Sequence, residues 1–256
     1  MPDYPAFEIL NPEGKTPVLL VCDHASNAVP DLVSGGTLGL PDHDMNRHIA
    51  YDVGARGVTE HLTELLDAHA VVSRFSRLVI DPNRGEDDPT ILMKLYDGSI
   101  IPGNRYADDV EKERRLDLFY RPYHAALHRQ IDMMVAEGRT PALVSIHSFT
   151  PQLKNRKPRP WHLGVLWAKD GRLAKPFMEF FANDPDVCVG DNEPYTGELE
   201  GDTMFFHGTR RGLPHILIEV RNDLIETPEG QFEWADRIAP ALWVALEELN
   251  KENENG

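Results

Sequence analysis

Three short apolar runs constrain this chain more than anything else in it: residues 17–22 (PVLLVC), 141–146 (PALVSI) and 214–220 (PHILIEV). Each is a run rather than an alternation, so each reads as a strand buried on both faces. That is the condition of a parallel sheet covered by helices. Between them the spacing is helical. Ile49, Val53, Val58, Leu62 and Leu65 recur at three to five residues over 44–68, with Asp44 as N-cap. Leu116, Tyr120, Leu127, Ile131 and Met134 share a face over 111–135, and a closing amphipathic helix covers 231–249. Further strands are expected at 70–75, 77–80, 162–167 and 186–189, with a helix at 173–183. Residues 85–110, broken by Pro89, Gly98, Pro102 and Gly103, read as a lid or binding loop. The alternation implies an α/β fold: a single three-layer domain over 1–256, its sheet mainly parallel with helices on both faces. Residues 1–14 and 250–256 are expected to be peripheral or frayed.

Charge and cysteine usage exclude whole classes of function. A net charge of −16 repels phosphate backbones, so nucleic acid is not an expected partner. An anionic substrate then needs local arginines. No apolar run reaches the roughly 18–20 residues of a membrane span, and residues 1–15 lack a secretory pattern. Two cysteines, Cys22 and Cys188, fit a reducing compartment, and a cytoplasmic monomer or small homo-oligomer is expected. Two are also too few for a cysteine-built metal site, which would have to use His, Asp and Glu.

In sheets of this kind ligands bind beyond the carboxyl ends of the strands. His24 (CDHASN) and His147 (SIHSF) each leave a parallel strand on that edge and can meet at one ion. A catalytic zinc needs about three protein ligands and an open position. Asp44 and His48, four apart at the start of the first long helix, share a face, and either can supply the third. Helix capping is the plain alternative for Asp44. Glu219 sits inside a very apolar strand (ILIEVRND), where an unpaired carboxylate is costly. Beside a metal site it is the natural general base. A pairing with Arg221, two residues on, is the structural alternative, and Arg221 is also a candidate stabiliser of an oxyanion. Asn83 and Arg84 (DPNR) offer a planar fork and a second donor for a substrate carboxylate, although DPN is also good turn chemistry. His124 falls on the apolar stripe of its helix; it reads as a core histidine behind the site and joins Asn83 and Arg84 in the substrate-binding set. The loop QLKNRKPRP is basic in an acidic protein and can add positive potential near an anionic substrate. Ser26, Ser76 and Ser148 lack the Gly-x-Ser-x-Gly turn of a serine nucleophile, Cys22 reads as packing, and no glycine-rich phosphate loop is present.

Taken together, VCDHASNAVP, RHIAYDVGA, SRLVIDPNR, RPYH, SIHSFTP and LIEVRNDLI resemble the N-formylglutamate amidohydrolase family from about residue 18 to 241. The resemblance implies a zinc-carboxypeptidase-like fold and hydrolysis of a linear amide with Zn2+ or another divalent metal. The order of motifs it implies is a metal-binding His24, a carboxylate-holding Asn83–Arg84 pair, a second ligand His147 and a late catalytic Glu219. Zinc carboxypeptidases carry a ligand Glu three residues after the first His, where this chain has Asn27. Cell-wall amidases take an acid from the start of the first helix, which points to Asp44. The expected substrate is a small N-acyl amino acid, N-formyl-L-glutamate foremost; the alternatives are a peptide or cell-wall-type amidase and a non-catalytic binder of an acidic metabolite.

Overall fold

The computed structural model describes residues 4–255. In chain order its elements are β1 (Phe7–Leu10), β2 (Val18–Cys22), α1 (Asp42–Met45), α2 (Ala55–Leu65), β3 (His69–Ser73), β4 (Leu95–Tyr96), β5 (Ser99–Ile100) and α3 (Asp109–Arg115). They continue with α4 (Arg121–Ala136), β6 (Ala142–Phe149), β7 (Leu163–Leu166), α5 (Ala174–Phe181), β8 (Val189–Asp191), α6 (Thr203–His207), β9 (His215–Arg221) and α7 (Pro228–Asn255). Seven strands form one sheet in the order β1-β3-β2-β6-β9-β7-β8, and β4 and β5 form a separate two-stranded ribbon. The three apolar runs are the adjacent central strands. The β3-β2-β6-β9 ladder is parallel throughout, as is β7-β8, while β1-β3 and β7-β9 are antiparallel.

Side-chain alternation along the strands divides the core into two layers. Val18, Leu20, Val144, Ile146, Ile216 and Ile218 face one way, against α2, α5 and α7. Leu19, Val21, Leu143 and Leu217 face the other, against Tyr123, Leu127 and Ile131 of α4 and the buried loops over 75–101. This is the expected three-layer arrangement. Among the described residues no helix is long and apolar enough to cross a membrane.

Several boundaries differ from the sequence expectation. The helix expected over 44–68 begins only at Ala55. Gly54 has φ +80, and a Cβ there would stand 2.1 Å from the carbonyl oxygen of Ile225, so the chain turns at this point rather than coiling through it. The preceding backbone is bonded to other loops: Asp52 N–H to the His24 carbonyl at 3.0 Å, and Arg77 N–H to the Ala50 carbonyl at 3.2 Å. Residues 77–80 are a buried turn, closed by Val79 N–H on the Ser76 carbonyl, although Leu78, Val79 and Ile80 are as apolar as a strand. At the N-terminus β1 edges the sheet beside β3. The closing helix runs to Asn255; residues 1–3 and 256, read as peripheral or frayed, lie outside the described residues.

Candidate active site

The parallel register of β6 and β9 sets His147 directly beside Glu219. Both lie on the α4 side of the sheet, in phase with Leu143 and Leu217. Across the sheet Gly164 of β7 pairs with Glu219; a Cβ there would lie 3.2 Å from the Cβ of Glu219 and 2.3 Å from the Glu193 carbonyl oxygen, so the glycine leaves the carboxylate its room. His24 follows β2 by two residues. Its Nδ1 lies 3.3 Å from Oδ2 of Asp52, and His147 Nδ1 lies 2.8 Å from the same oxygen. Ligand atoms of His24, Asp52 and His147 all fall within 4.8 Å of one another, and all three residues are buried. Ligands about 2.0–2.1 Å from a tetrahedral zinc stand about 3.3 Å apart, so these donors are spaced as a metal site requires.

The far nitrogen of each imidazole is anchored by a second carboxylate. His24 Nε2 lies 2.7 Å from Asp81 Oδ1, and His147 Nε2 lies 3.1 Å from Asp23 Oδ2 and 3.0 Å from Ser145 Oγ. Carboxylates in this position orient metal-binding imidazoles and strengthen them as donors. Arg77 holds the remaining oxygens, donating to Asp81 Oδ2 at 2.9 Å and Asp52 Oδ1 at 3.3 Å. Tyr123 and Thr203 donate their hydroxyls to Asp23 Oδ1 at 2.9 and 2.7 Å.

Charge is unbalanced here. Asp23, Asp52, Asp81 and Glu219 are buried with one arginine, Arg77. Burial alone would raise Asp23, but the hydrogen bond and charge of His147 outweigh it and hold its carboxyl at about 2. Asp52 and Asp81 are likewise held far down against burial, the first by the two imidazoles and the second by Arg77 and His24. Burial would lower His147, yet its hydrogen bonds to Asp23 and Asp52 push it well above the ordinary histidine value. Glu219 goes the other way: burial pushes it up to about 7, and its buried Oε2 has no hydrogen-bond partner. A cluster of acids that draws a proton onto His147, beside an orphaned carboxylate oxygen, fits a divalent cation.

These groups open onto a cavity of about 120 Å³. Its walls include Asn83, Arg84, Tyr96, Phe149, Tyr195 and Asp202. Arg84 Nη1 donates to the Asn83 carbonyl at 2.8 Å, and its Nε reaches Asp88 only at 4.0 Å, so its fork is largely available. The Asn83 side chain is fixed through its oxygen, which accepts from Thr203 N–H at 3.0 Å. A wider open groove of about 1150 Å³ runs past Tyr120, His124, Phe206 and Arg210 but touches none of the His24, Asp52, His147 or Glu219 group, so the chemistry belongs to the smaller cavity.

His24, His147, Glu219, Asn83 and Arg84 are therefore brought together. Four other candidates are placed differently. Asp44 does not reach the histidines; it pairs with Arg47 at 2.7 Å and accepts from Ser99 at 3.2 Å, tying α1 to the β4–β5 ribbon. His48 lines the cavity, but its Nε2 faces Asp97 at 3.4 Å. The carboxylate beside the histidines is Asp52, which the long-helix reading had buried inside a continuous helix. Arg221 turns away to Asp223, at 2.8 Å, and to the Trp161 carbonyl, at 3.4 Å. His124 does not line the cavity. It braces it from behind, with Nε2 on the Pro82 carbonyl and Nδ1 on His207 Nε2, both at 2.9 Å, while the Tyr120 hydroxyl donates to the Arg84 carbonyl at 2.8 Å. Asp23 and Asp81 were missed as well. Their only sequence signals were an acid adjacent to His24 and the first residue of DPNR, which also accepts from Asn83 N–H at 2.9 Å as ordinary turn chemistry.

Comparison with known proteins identifies the family and the fold. Residues 16–226 match the family model for N-formylglutamate amidohydrolase. An N-formylglutamate deformylase of Pseudomonas putida is 29% identical over 257 residues, covering 93% of this chain and 92% of the relative. A solved structure of an Agrobacterium tumefaciens gene product superposes with a TM-score of 0.90 at 34% identity, covering 96% of each chain. That of an N-formylglutamate amidohydrolase from Ralstonia eutropha gives 0.66 at 18% identity, covering 97% of this chain and all of the other, and supports the fold alone.

Proposed function

We propose that this chain, which belongs to the N-formylglutamate amidohydrolase family, cleaves the amide bond of a small N-acyl amino acid, with N-formyl-L-glutamate as substrate and glutamate and formate as products. The name of the Pseudomonas putida relative supports that substrate. One observation carries the reading: two imidazole Nδ1 atoms turn to a single oxygen of Asp52, 3.3 and 2.8 Å away, with the partnerless carboxylate of Glu219 beside His147 on the next strand.

His24, Asp52 and His147 would hold a divalent ion, zinc foremost. Such an ion, when bound, acidifies water and polarises an amide carbonyl. The chain's own residues supply the rest. Asp81 and Asp23 keep each imidazole turned with Nδ1 toward the site, and Arg77 fixes Asp52. Arg84 and Asn83 bind the substrate carboxylate and so place its amide over Glu219. Glu219 takes a proton from the attacking water as the new C–O bond forms, then delivers it to the leaving nitrogen as the C–N bond breaks. A carboxyl raised by burial to about 7 is suited to both transfers near neutral pH. The cavity of about 120 Å³ favours a compact substrate over a peptide or cell-wall strand. The unpaired cysteines, Cys22 buried and Cys188 exposed, support a cytoplasmic setting.

The test is metal content beside turnover. Protein purified without added metal should carry about one zinc per chain, hydrolyse N-formyl-L-glutamate, lose activity on chelation and regain it with metal. Absence of hydrolysis after zinc is supplied would sink the reading.

A further inference from the structure

The basic loop between β6 and β7 carries four cations. Lys154, Arg156 and Lys157 are exposed, but Arg159 is half-buried. Its backbone N–H donates to the Pro151 carbonyl at 2.8 Å and its Nη1 to the Thr150 carbonyl at 3.1 Å. Its guanidinium carbon lies 5.0 Å from the ring centre of Tyr195 and 5.7 Å from that of Phe149. Phe149, Thr150 and Tyr195 are all walls of the catalytic cavity. Among the described residues Arg159 forms no ion pair with a carboxylate, whereas Arg77 is saturated by Asp52 and Asp81. Nor does Tyr195 neutralise it: burial, then the nearby Glu219, pushes that phenol up to about 12, so it stays protonated.

Two guanidiniums with available donors therefore flank the reacting groups. Arg84 arrives on the turn after β3, and Arg159 leans on Tyr195, which follows β8. In strand order these lie on opposite sides of the β6–β9 pair that carries His147 and Glu219. A chain with net charge −16 has no shortage of acids to pair an arginine. One held against the aromatic walls of a cavity, bonded to the Thr150 carbonyl and to Tyr195 but to no carboxylate, keeps its charge and remaining donors for an anion that comes and goes.

We propose that Arg159 is a second carboxylate grip of this cavity and makes it selective for N-acyl derivatives of acidic amino acids over neutral ones. This rests on the reading above for the first carboxylate and the reacting amide, and it assigns the side-chain carboxylate to Arg159.

The experiment compares N-formyl-L-glutamate with N-formyl-L-glutamine, which differ in charge at nearly constant shape. Affinities are measured calorimetrically in a Glu219→Gln background, and kcat/KM in the otherwise unaltered enzyme. With Arg159 present, the acid should bind about ten- to a hundredfold more tightly than the amide. Arg159→Gln should erase that ratio by weakening the acid alone. Arg159→Lys, which keeps the charge and stem but not the planar fork, should retain part of it and serves if the Gln variant does not fold. A ratio that survives Arg159→Gln, or a loss shared equally by both ligands, overturns the proposal and leaves Arg159 as packing. The two readings fail separately. Good hydrolysis with no preference for the acid overturns only the selectivity, and a preference in binding without hydrolysis overturns only the chemistry.

Discussion

Glu219 and Asp81 meet opposite demands within one site. In the proposed mechanism Glu219 moves a proton, and burial without a partner for Oε2 suits it to that role. Replacing it with Gln keeps shape and polarity but removes the proton carrier. Glu219→Gln should lower kcat by about 10²–10⁴-fold while substrate binding changes by only a few-fold, read by steady-state kinetics beside calorimetry. Asp81 must do the reverse and keep its charge, because its Oδ1 holds His24 Nε2 at 2.7 Å. Asp81→Asn retains an acceptor for the turn but loses the negative charge behind the imidazole. Zinc affinity should fall about 10–100-fold, measured by competition with a chelating dye. An unchanged affinity would mean that Asp81 only shapes the DPNR turn.

At the level of elements, two joints hold the site in place. One is the turn into α2. Asp52 stands two residues before Gly54, whose φ of +80 and approach to the Ile225 carbonyl leave no space for a side chain. Gly54→Ala should cost about 2–4 kcal/mol in urea unfolding, and should weaken metal binding because the displaced turn carries Asp52. The other joint is α3. Arg115 is buried and donates to the Val79 carbonyl and to Asn104, and its charge is met by Glu111 at 2.7 Å. The Arg114 hydrogen bond, aided by Arg115, holds the Glu111 carboxyl at about 2, below its ordinary 4.5. A depressed carboxyl stabilises the fold above its unfolded value and loses that contribution as pH falls toward the folded one. Glu111→Gln should therefore cost about 1–2 kcal/mol at pH 7, allowing for the partial exposure of the glutamate. Unfolding curves taken from pH 5 down to pH 2 should show that difference closing. A gap independent of pH would assign the loss to packing.

Across the whole molecule, what could be read from the chain was whatever depends on local pattern. Apolar runs announced β2, β6 and β9, and the strand-end rule then reached His24, His147 and Glu219 without any knowledge of contacts. The Asn83–Arg84 pair was legible from its donor chemistry and turn pattern instead, since the strand expected before it at 77–80 is a buried turn. Asp52 was not, because helical spacing runs unbroken from Ile49 to Leu65, while the break at Gly54 is set by its positive φ and by backbone bonds of Asp52 and Ala50 to residues distant in sequence. Arg221 and Asp44 misled because their partners, Asp223 and Trp161 for one and Arg47 and Ser99 for the other, are settled by packing rather than periodicity. The proposed site thus joins segments that share no local pattern: the ends of β2 and β6 and the turn before α2. That gives it a global consequence. An ion bound there and not by the unfolded chain adds RT ln(1 + [L]/Kd) to stability, about 2.7 kcal/mol at a hundredfold excess over Kd. In a chain of 256 residues this corresponds to roughly 5–10 °C in Tm. Chelation should lower Tm by that amount and leave Asp23, Asp52, Asp81 and Glu219 with only Arg77 and the imidazoles as counter-charge. Asp52→Ala should start from a lower Tm and show no further drop on chelation, whereas Asp44→Ala should keep the full response. A chelation-sensitive Tm in Asp52→Ala with an insensitive one in Asp44→Ala would return the third ligand to α1.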